Sequence, residues 1–377
     1  MISRARLALV APLCFIYLCC SPESAGNEND GTDGGVHTFH DGGTTENEAT
    51  TNTDAGQQQP LDCGALPREA TEANWGDAAD HLSVANHRLV LMGGGAEVDL
   101  MSRSFVEGAG GGDVLVLRAS GSVTSYLDYF GAEVEADPAP AQVSTVRPDE
   151  PSASSHLGVL CRVQGAESLW LAGGDQWAYL GQWSSAMHDT IDTLLFQGRT
   201  VGGTSAGAMV WGEWAFDAQW GSVTSGEVLG NPLSQTISLR EAPHGHPFLA
   251  GTIVDTHFSD REREGRLLVF MAQAIQDEDT TRVRGLGIDG STAISIEDGT
   301  FLVRSNSDGA VWYYETDNVP TLQANEPLNF ESITRLRWGN GETGQWPPAL
   351  DDDPLPSSWE IHRLTVQNGT IVHEMVP

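Results

Sequence analysis

The chain has 377 residues, enough for one large or two ordinary domains with a substantial core. Its formal charge of −33 argues against sequence-independent binding to nucleic acid or anionic lipid, because both need surplus positive charge. All 19 basic residues are arginine, and the absence of lysine excludes a Walker-type phosphate loop, a Schiff-base lysine and a serine–lysine dyad.

Residues 1–20 have the pattern of an export signal. Two arginines precede an apolar stretch that ends at Leu18 and is shorter than the ~20 residues needed to span a bilayer. Cys19 and Cys20 follow, and a cysteine here resembles the lipobox of bacterial lipoproteins, whose first mature residue is lipidated. We expect lipidation at Cys20 and a location at the cell envelope, on the outer membrane or cell surface, with secretion as the alternative. Since no other segment is long and apolar enough to cross a membrane, the lipid is the only expected membrane contact.

Residues 21–62 contain acidic and small polar residues but almost no large apolar side chain, which predicts a disordered acidic linker. Three of the five cysteines belong to the signal region, so Cys63 and Cys161 remain for the folded part. Two thiols in an oxidising compartment are candidates for one disulfide, and the sequence leaves their pairing open.

Five short apolar runs that end in glycine or polar residues indicate the folded core, which we place at residues 63–300. Continuous apolar strands separated by helical patterns are typical of an α/β fold with a mostly parallel sheet and helices on both faces. In such sheets ligands bind at the carboxyl ends of the strands. The predicted strands begin at Leu89, Val114, Ser168, Thr200 and Gly251.

From residue 301 the apolar pattern alternates more openly, with Pro-rich loops between the runs, as in Ala310-Val-Trp-Tyr-Tyr. Alternation of this kind is typical of antiparallel strands. We therefore expect residues 301–377 to form a small β-rich C-terminal extension.

The segment Gly203-Thr-Ser-Ala-Gly207 is the best candidate for a nucleophile. It follows an apolar strand and precedes a helical pattern over residues 208–214, the strand–turn–helix context in which Gly-x-Ser-x-Gly is meaningful. Glycines permit a sharp turn that exposes the Ser205 hydroxyl, and the N–H of Ala206 is then available to an oxyanion. A glycine-rich turn without chemistry is the alternative.

A serine nucleophile needs a general base, and His257 is the candidate. It follows the apolar strand at residues 252–255 and lies at the same edge as Ser205 if the strands are parallel. His244 and His246 suggest a metal, but no third ligand has suitable spacing. We expect loop histidines there, with no metal and no other cofactor.

Five segments between residues 88 and 300 form a recognisable set. They are Leu117-Arg-Ala-Ser-Gly, Leu171-Ala-Gly-Gly-Asp-Gln, Gly202-Gly-Thr-Ser-Ala-Gly-Ala, Asp255-Thr-His-Phe-Ser-Asp-Arg-Glu-Arg-Glu-Gly-Arg-Leu and Gly287-Ile-Asp-Gly-Ser-Thr-Ala. In this order they resemble the cyanophycinase family, which is grouped with dipeptidase E, an aspartyl dipeptidase. The ordered set is far more specific than any one motif.

The resemblance implies a class I glutamine-amidotransferase-like fold. It also implies a serine-type peptidase that cleaves next to aspartate, including the β-Asp–Arg isopeptide bonds of cyanophycin. Carried over position by position, it makes Ser205 the nucleophile and His257 the general base. The implied oxyanion site is Gly174, Asp175 and Ala206, and the implied substrate contacts are Gln176, Asp255, Arg261, Arg263 and Arg266.

Arg261, Arg263 and Arg266 are expected to open the helix after the His257 strand, where the helix dipole favours an anion. Arginine binds carboxylates through paired hydrogen bonds, so the expected partner is a peptide substrate with an aspartyl carboxylate. The alternative is a solvated helix with a Glu262–Arg266 ion pair.

The chain departs from the family at two positions. Thr256 stands where cyanophycinases typically have Gln, and Gly290 stands where the family has the Glu that serves as triad acid. Two functions therefore stay open: an envelope-anchored serine peptidase acting on aspartyl or isoaspartyl peptides, and a catalytically weak or inactive relative that binds peptides at the envelope.

An α/β-hydrolase esterase is less favoured, because no Asp fits the required order of Ser, acid and His. The sequence does not decide between a monomer and a homodimer.

Overall fold

The computed structural model describes residues 62–77, 87–276, 280–350 and 355–376, all within one compact unit of the chain, Gly56–Pro377. The predicted signal segment, the lipidation at Cys20 and the linker up to residue 61 lie outside the described residues. No helix in the described ranges is long and apolar enough to cross a membrane.

The described residues form strands, α-helices and a few shorter helical turns. The strands are β1 (Ala70–Gly76), β2 (Arg88–Met92), β3 (Asp113–Leu117), β4 (Gln142–Pro148), β5 (Ser168–Leu171), β6 (Thr200–Thr204), β7 (Trp214–Phe216), β8 (Leu239–Glu241), β9 (Thr252–Thr256), β10 (Val283–Ile288), β11 (Thr292–Glu297), β12 (Thr300–Ser305), β13 (Val311–Thr316), β14 (Phe330–Trp338), β15 (Thr343–Gln345), β16 (Glu360–Gln367) and β17 (Thr370–Met375). The α-helices are α1 (Asp99–Glu107), α2 (Leu157–Gly165), α3 (Ser185–Phe196), α4 (Ala206–Met209), α5 (Ser225–Gly230) and α6 (Glu264–Ala274). Short 3-10 turns occupy Pro151–Ser155, Pro247–Leu249 and Ser259–Arg261, and π-helical turns occupy Tyr129–Glu133 and Ala178–Gln182.

The first sheet has the strand order β1-β4-β3-β5-β6-β2-β11-β12-β15. Its five neighbouring strands from β4 to β2 run parallel, and antiparallel strands complete both sides. Four of the predicted strands, β2, β3, β5 and β6, lie in this parallel part. The predicted α/β fold class is confirmed.

The second sheet has the order β17-β16-β14-β13-β10-β9-β7-β8. The fifth predicted strand, β9, is formed here and pairs in parallel with β10 and β7. The remaining ladders of this sheet are antiparallel. The molecule therefore contains two mixed sheets rather than one mostly parallel sheet.

The residues after position 300 are rich in strands, and these strands extend both sheets of the core. β12 and β15 continue the first sheet from β11, whereas β13, β14, β16 and β17 continue the second sheet from β10. Each addition is an antiparallel pairing, which agrees with the alternating sequence pattern.

Helices cover both faces of the first sheet. Leu91 packs in a cluster with Ile191 of α3, whereas its neighbour Val90 packs in a cluster with Phe105 of α1 on the opposite face. Successive side chains of a strand point to opposite faces, so a strand covered on both sides needs a continuous apolar run. This requirement explains why most of the parallel strands can be predicted from sequence.

Cys63 and Cys161 form a disulfide with their Cα atoms 5.4 Å apart. It joins the chain before β1 to α2, across a sequence separation of 98 residues. A cross-link over a loop of this length is worth roughly 4–5 kcal/mol in the chain-entropy view of the unfolded state. The pairing that the sequence left open is thus present in the fold.

Candidate active site

Ser205 occupies the turn between β6 and the one-turn helix α4. Its backbone angles are φ 52° and ψ −122°, which residues with side chains rarely adopt. Strain of this kind costs ~1–3 kcal/mol and persists where the surroundings determine the conformation. Here the Ser205 N–H donates to the Met92 carbonyl at 3.0 Å, which attaches the turn to the end of β2. The geometry is that of a nucleophile elbow with a half-buried hydroxyl.

The two glycines of the elbow are required by close backbone contacts. A Cβ on Gly203 would overlap the Gly207 carbonyl, and a Cβ on Gly207 would overlap the Leu171 carbonyl at the end of β5. Helix α4 therefore begins in direct contact with the neighbouring parallel strand, a position that only glycine allows.

His257 lies one residue beyond β9 and faces this elbow. Its Nε2 lies 3.1 Å from Ser205 Oγ. Its N–H donates to the Gly93 carbonyl at 2.9 Å, so the end of β9 in the second sheet is attached to the end of β2 in the first. Gly94 leaves room for the imidazole, because a Cβ there would overlap Nε2 and Cε1. The structure thus brings the two predicted residues within hydrogen-bond distance.

The surroundings of His257 favour the neutral imidazole. Burial lowers the pKa of His257, the guanidinium groups of Arg261 and Arg263 lower it further, and the carboxylates of Asp260 and Asp255 act in the opposite direction. A neutral ring accepts a proton at Nε2 only when its own proton sits on Nδ1. Nδ1 forms no hydrogen bond with any described residue, so nothing in the static structure fixes this tautomer.

Backbone N–H groups beside Ser205 are available to a substrate oxygen. Ala206 is the first residue of α4, and a helix leaves such an N–H without an internal partner. The turn after β5 lies against the elbow, since a Cβ on Gly173 would be 3.5 Å from the Ser205 Cβ. Gly174 and Asp175 follow in this turn, and Asp175 Oδ1 accepts the N–H two residues later at 3.0 Å. All three predicted oxyanion residues therefore come from segments in contact with the elbow.

Asp255 and Arg266 form a buried ion pair. Arg266 donates from Nε to Asp255 Oδ2 at 2.7 Å and from Nη2 to Oδ1 at 2.6 Å, and the two residues are 0% and 1% exposed. A further Arg266 hydrogen bond reaches Ser222 Oγ at 3.2 Å. The functional groups of this pair are occupied by each other, below the surface of the site.

Arg263 also points into the protein. Its Nη1 donates to the Thr256 carbonyl at 2.6 Å and contacts Asp255 at 3.4 Å, and burial lowers the pKa of Arg263 to about 10. By contrast Arg261 is exposed, and with the described residues its guanidinium forms no hydrogen bond or ion pair. Gln176 is half-buried, and its side chain likewise has no such bond there.

Two predicted helices differ from the structure. The predicted helix over residues 208–214 is wrong, because α4 ends at Met209 and the chain then enters β7 beside β9. The helix predicted to begin with the arginines begins at Glu264, after a 3-10 turn and a left-handed residue at Glu262. The Glu262–Arg266 helical pair does not form, because Arg266 turns to Asp255.

At position 290, where the resemblance implies a triad acid, the chain has glycine. Gly290 follows β10, and its neighbour Asp289 accepts hydrogen bonds from the N–H groups of Ser259 and Ala310, both at 2.9 Å, and from the Trp312 indole at 3.2 Å. Asp289 therefore fastens β10 and β13 to the turn after His257. Its carboxylate is fully engaged in structure.

A further polar pocket adjoins the turn at Gly174. Arg118 donates to the Ser120 carbonyl at 3.0 Å, and a Cβ on Gly174 would lie 3.4 Å from Ser120 Oγ. In this pocket Glu97 accepts a hydrogen bond from Tyr126, and burial raises the pKa of Glu97 to about 6. A buried carboxyl group with a raised pKa thus lies in a pocket beside the turn that contains Gly174.

His244 and His246 are buried within the loop before β9. His244 Nδ1 lies 3.0 Å from His188 Nδ1, and His246 Nδ1 accepts the Phe248 N–H at 3.1 Å. Burial lowers the pKa of both residues to about 3, so both are neutral. Within the described part of the chain, no group of three or more His, Cys, Asp or Glu side chains could hold a metal ion.

Sequence reasoning missed two contributors to this site. The run Gly93-Gly94-Gly95 after the first predicted strand has no assigned role in the sequence analysis, although the ring of His257 needs the space that Gly94 leaves. Asp260, three residues after His257, was not singled out. Both follow a predicted strand at its carboxyl end, and that position was the available signal.

No protein-family model matches the sequence, and no curated protein matches it. Among solved structures, the chain is similar to a peptidase from an acI-B1 Actinobacterium, with 15% identity, a TM-score of 0.42, and coverage of 70% of this chain and 98% of the other. It is also similar to a Listeria monocytogenes EGD-e structure provisionally described as a Peptidase E protein, with 14% identity, a TM-score of 0.34, and coverage of 59% and 100%.

Proposed function

We propose that this protein is a serine peptidase that hydrolyses aspartyl or isoaspartyl peptide bonds. One observation carries the proposal: a strained Ser205 in a nucleophile-elbow conformation whose Oγ lies 3.1 Å from His257 Nε2. Local strain that a packed fold maintains at a half-buried hydroxyl beside a neutral histidine is typical of acyl-transfer sites.

In the proposed reaction, His257 Nε2 takes the Ser205 proton as Oγ attacks the scissile carbonyl. The resulting oxyanion accepts hydrogen bonds from the N–H groups of Ala206 and of the Gly174–Asp175 turn. The imidazolium then protonates the leaving amine, and water repeats the sequence on the acyl-enzyme to release the acid and restore Ser205.

Substrate recognition is assigned to two predicted side chains that form no hydrogen bond or ion pair with the described residues. Arg261 is the carboxylate-binding residue of the proposal, because its guanidinium is exposed and unengaged by described neighbours. Gln176 is the second contact. Asp255, Arg263 and Arg266 act beneath it, since their mutual contacts hold the backbone that carries His257.

The test of this function is covalent labelling with a fluorophosphonate, followed by peptide mapping and digestion of a library of aspartyl and isoaspartyl peptides. The expected adduct lies on the peptide that contains Ser205, and cleavage is expected beside aspartate. A peptide-binding protein without activity is the second candidate, favoured by Gly290 in place of the family acid. Peptide binding without labelling or cleavage would select that candidate.

Arg261→Ala is expected to weaken recognition selectively. Loss of one charge-assisted hydrogen bond costs ~1.5–3 kcal/mol, so kcat/KM for aspartyl peptides should fall by roughly 10- to 150-fold while asparaginyl analogues change little. Arg363→Ala is the matched control, because Arg363 is exposed on β16, four strands from β9. Equal losses on charged and neutral peptides would contradict carboxylate binding.

We also propose that the mature protein is anchored at the cell envelope through a lipid on Cys20. The Cys63–Cys161 disulfide supports export, because such bonds persist in oxidising compartments. Metabolic labelling with palmitate is expected to mark the wild type, and Cys20→Ser is expected to release it from membranes. Continued membrane association of a Cys19→Ser/Cys20→Ser variant would overturn the anchor.

A further inference from the structure

The proposed function leaves His257 with an unmet requirement. As a general base its Nε2 must accept the Ser205 proton, so Nδ1 must carry a hydrogen and needs an acceptor that holds the ring in place. The resemblance to cyanophycinases implies a glutamate at position 290 for this role, and the chain has glycine there. The acceptor must therefore come from another element around the ring.

Two of the nearby carboxylates are committed elsewhere. Asp255 is buried and receives two hydrogen bonds from Arg266 at 2.6 and 2.7 Å, and one from the Thr256 N–H at 2.9 Å. Asp289 is engaged by two backbone N–H groups and an indole. Neither can turn towards His257 without leaving buried donors unpaired, which costs ~1–3 kcal/mol for each group.

Asp260 is placed differently. It lies in the 3-10 turn three residues after His257, and this turn is closed by the Arg261 N–H donating to the His257 carbonyl at 3.2 Å. Its Oδ2 lies directly over Gly290, since a Cβ added to Gly290 would overlap that oxygen. With the described residues the Asp260 carboxylate makes no hydrogen bond or ion pair. The carboxylate therefore occupies the space in which a side chain at position 290 would begin.

We propose that Asp260 is the positioning carboxylate of this site, accepting the Nδ1–H of His257 in place of an acid at position 290. The inference rests on the proposed function, because it assigns the partner of the proposed general base. The absence of a side chain at Gly290 leaves space for the Asp260 carboxylate. In this proposal the Asp260 carboxylate takes the role that a carboxylate at position 290 would have.

The charges around the ring agree with this role. The groups that act on His257 are Arg261 and Arg263, which lower its pKa, and Asp260 and Asp255, which raise it. The charge of Asp255 is already neutralised by Arg266. Asp260 is thus the carboxylate free to stabilise the imidazolium that forms during proton transfer, against two arginines that oppose it.

The test measures the second-order rate constant of fluorophosphonate labelling as a function of pH. Asp260→Asn is expected to lower the plateau rate by roughly 10²- to 10⁴-fold. It should also move the rising limb to lower pH, because loss of a negative charge lowers the pKa of His257. Asp260→Glu should recover part of the rate. Glu262→Gln is the matched control, since it removes one exposed negative charge two residues from Asp260 and should change neither plateau nor midpoint.

A swap variant tests position rather than charge alone. Asp260→Ala removes the oxygen that blocks position 290. The double variant Asp260→Ala/Gly290→Glu then places a carboxylate at position 290, after β10, instead of at position 260, after β9. Recovery of the labelling rate by at least tenfold over Asp260→Ala supports the proposal. A double variant that melts like the wild type yet labels as slowly as Asp260→Ala counts against it.

The failures of the two proposals are distinguishable. If the wild type labels at Ser205 but Asp260→Asn keeps its plateau and midpoint, the positioning role is overturned and the serine peptidase stands. If the wild type labels no faster than Ser205→Ala, the proposed function falls, and the role of Asp260 falls with it.

Discussion

Replacement of Ser205 by alanine is expected to lower turnover of aspartyl peptides by about 10⁶-fold, the loss typical of a serine hydrolase without its nucleophile. The substitution removes only a half-buried hydroxyl whose partner is His257 Nε2 at 3.1 Å. The elbow itself is held by backbone contacts, including the Ser205 N–H to the Met92 carbonyl. The melting temperature should therefore stay close to that of the wild type while steady-state kinetics report the loss.

The same kinetic measurement on a His257 variant and on the double variant shows whether Ser205 and His257 act as one catalytic unit or independently. His257→Ala alone and Ser205→Ala/His257→Ala together are expected to lose about as much as Ser205→Ala, because groups that act as one unit are not additive. Ser259→Ala is the matched control, since this exposed serine contributes a backbone N–H to Asp289 rather than its hydroxyl. Wild-type turnover in Ser205→Ala would mean that the elbow is structural.

Four of the five parallel strands of the first sheet were predictable. β2, β3 and β5 bury both faces, which demands nearly uninterrupted apolar runs, whereas the buried β6, Thr200-Val-Gly-Gly-Thr204, leads directly into the Gly-x-Ser-x-Gly segment. β4, with the sequence Gln142-Val-Ser-Thr-Val-Arg-Pro148, mixes polar and apolar residues and was not recognised. The helix predicted over residues 208–214 ends in the structure at Met209, and Trp214 instead opens β7, a strand of three residues that is too short to show a strand period and pairs with β8.

The placement of Ser205 and His257 at the carboxyl ends of parallel strands does not by itself explain why they are in contact. β6 and β9 belong to different sheets, so a shared sheet edge does not bring the two residues together. The contact is made by β2, whose last residue and following glycine bind the backbones of Ser205 and His257 respectively. Because the two residues are held together by a third strand, the number of residues between them in the sequence does not indicate their contact.

The arginines show a second limit of sequence reasoning. Three arginines within six positions of the sequence predict one basic surface, yet the fold separates them into one exposed and two inward-facing side chains. The difference is set by Asp255, which precedes Arg266 by 11 residues and lies in β9 rather than on the helix. Burial of an arginine is decided by whether a tertiary partner neutralises it, and local sequence does not show that partner.

Arg266→Met is expected to reduce the free energy of unfolding by about 3–5 kcal/mol, because it leaves the buried carboxylate of Asp255 without its cation. Methionine keeps the apolar contact with Phe216 and Phe270, over whose rings the guanidinium lies at 5.5 and 5.8 Å. Urea unfolding measures the loss. Arg103→Met is the matched control, since Arg103 and its ion-pair partner Glu135 have 37% and 81% of their side chains exposed, so the substitution leaves no buried charge unpaired.

The double variant Asp255→Asn/Arg266→Met decides between stability and substrate binding for this pair. When the carboxylate is neutralised together with its partner, the buried-charge cost disappears, so the double variant should be more stable than Arg266→Met by about 1–3 kcal/mol. A role in substrate binding predicts the reverse pattern: unchanged unfolding in every variant, with KM for aspartyl peptides raised by Arg266→Met and not restored in the double variant. Because Asp255 and Arg266 are 0% and 1% exposed and bound to each other, the energetic cost of the single substitution should appear in unfolding.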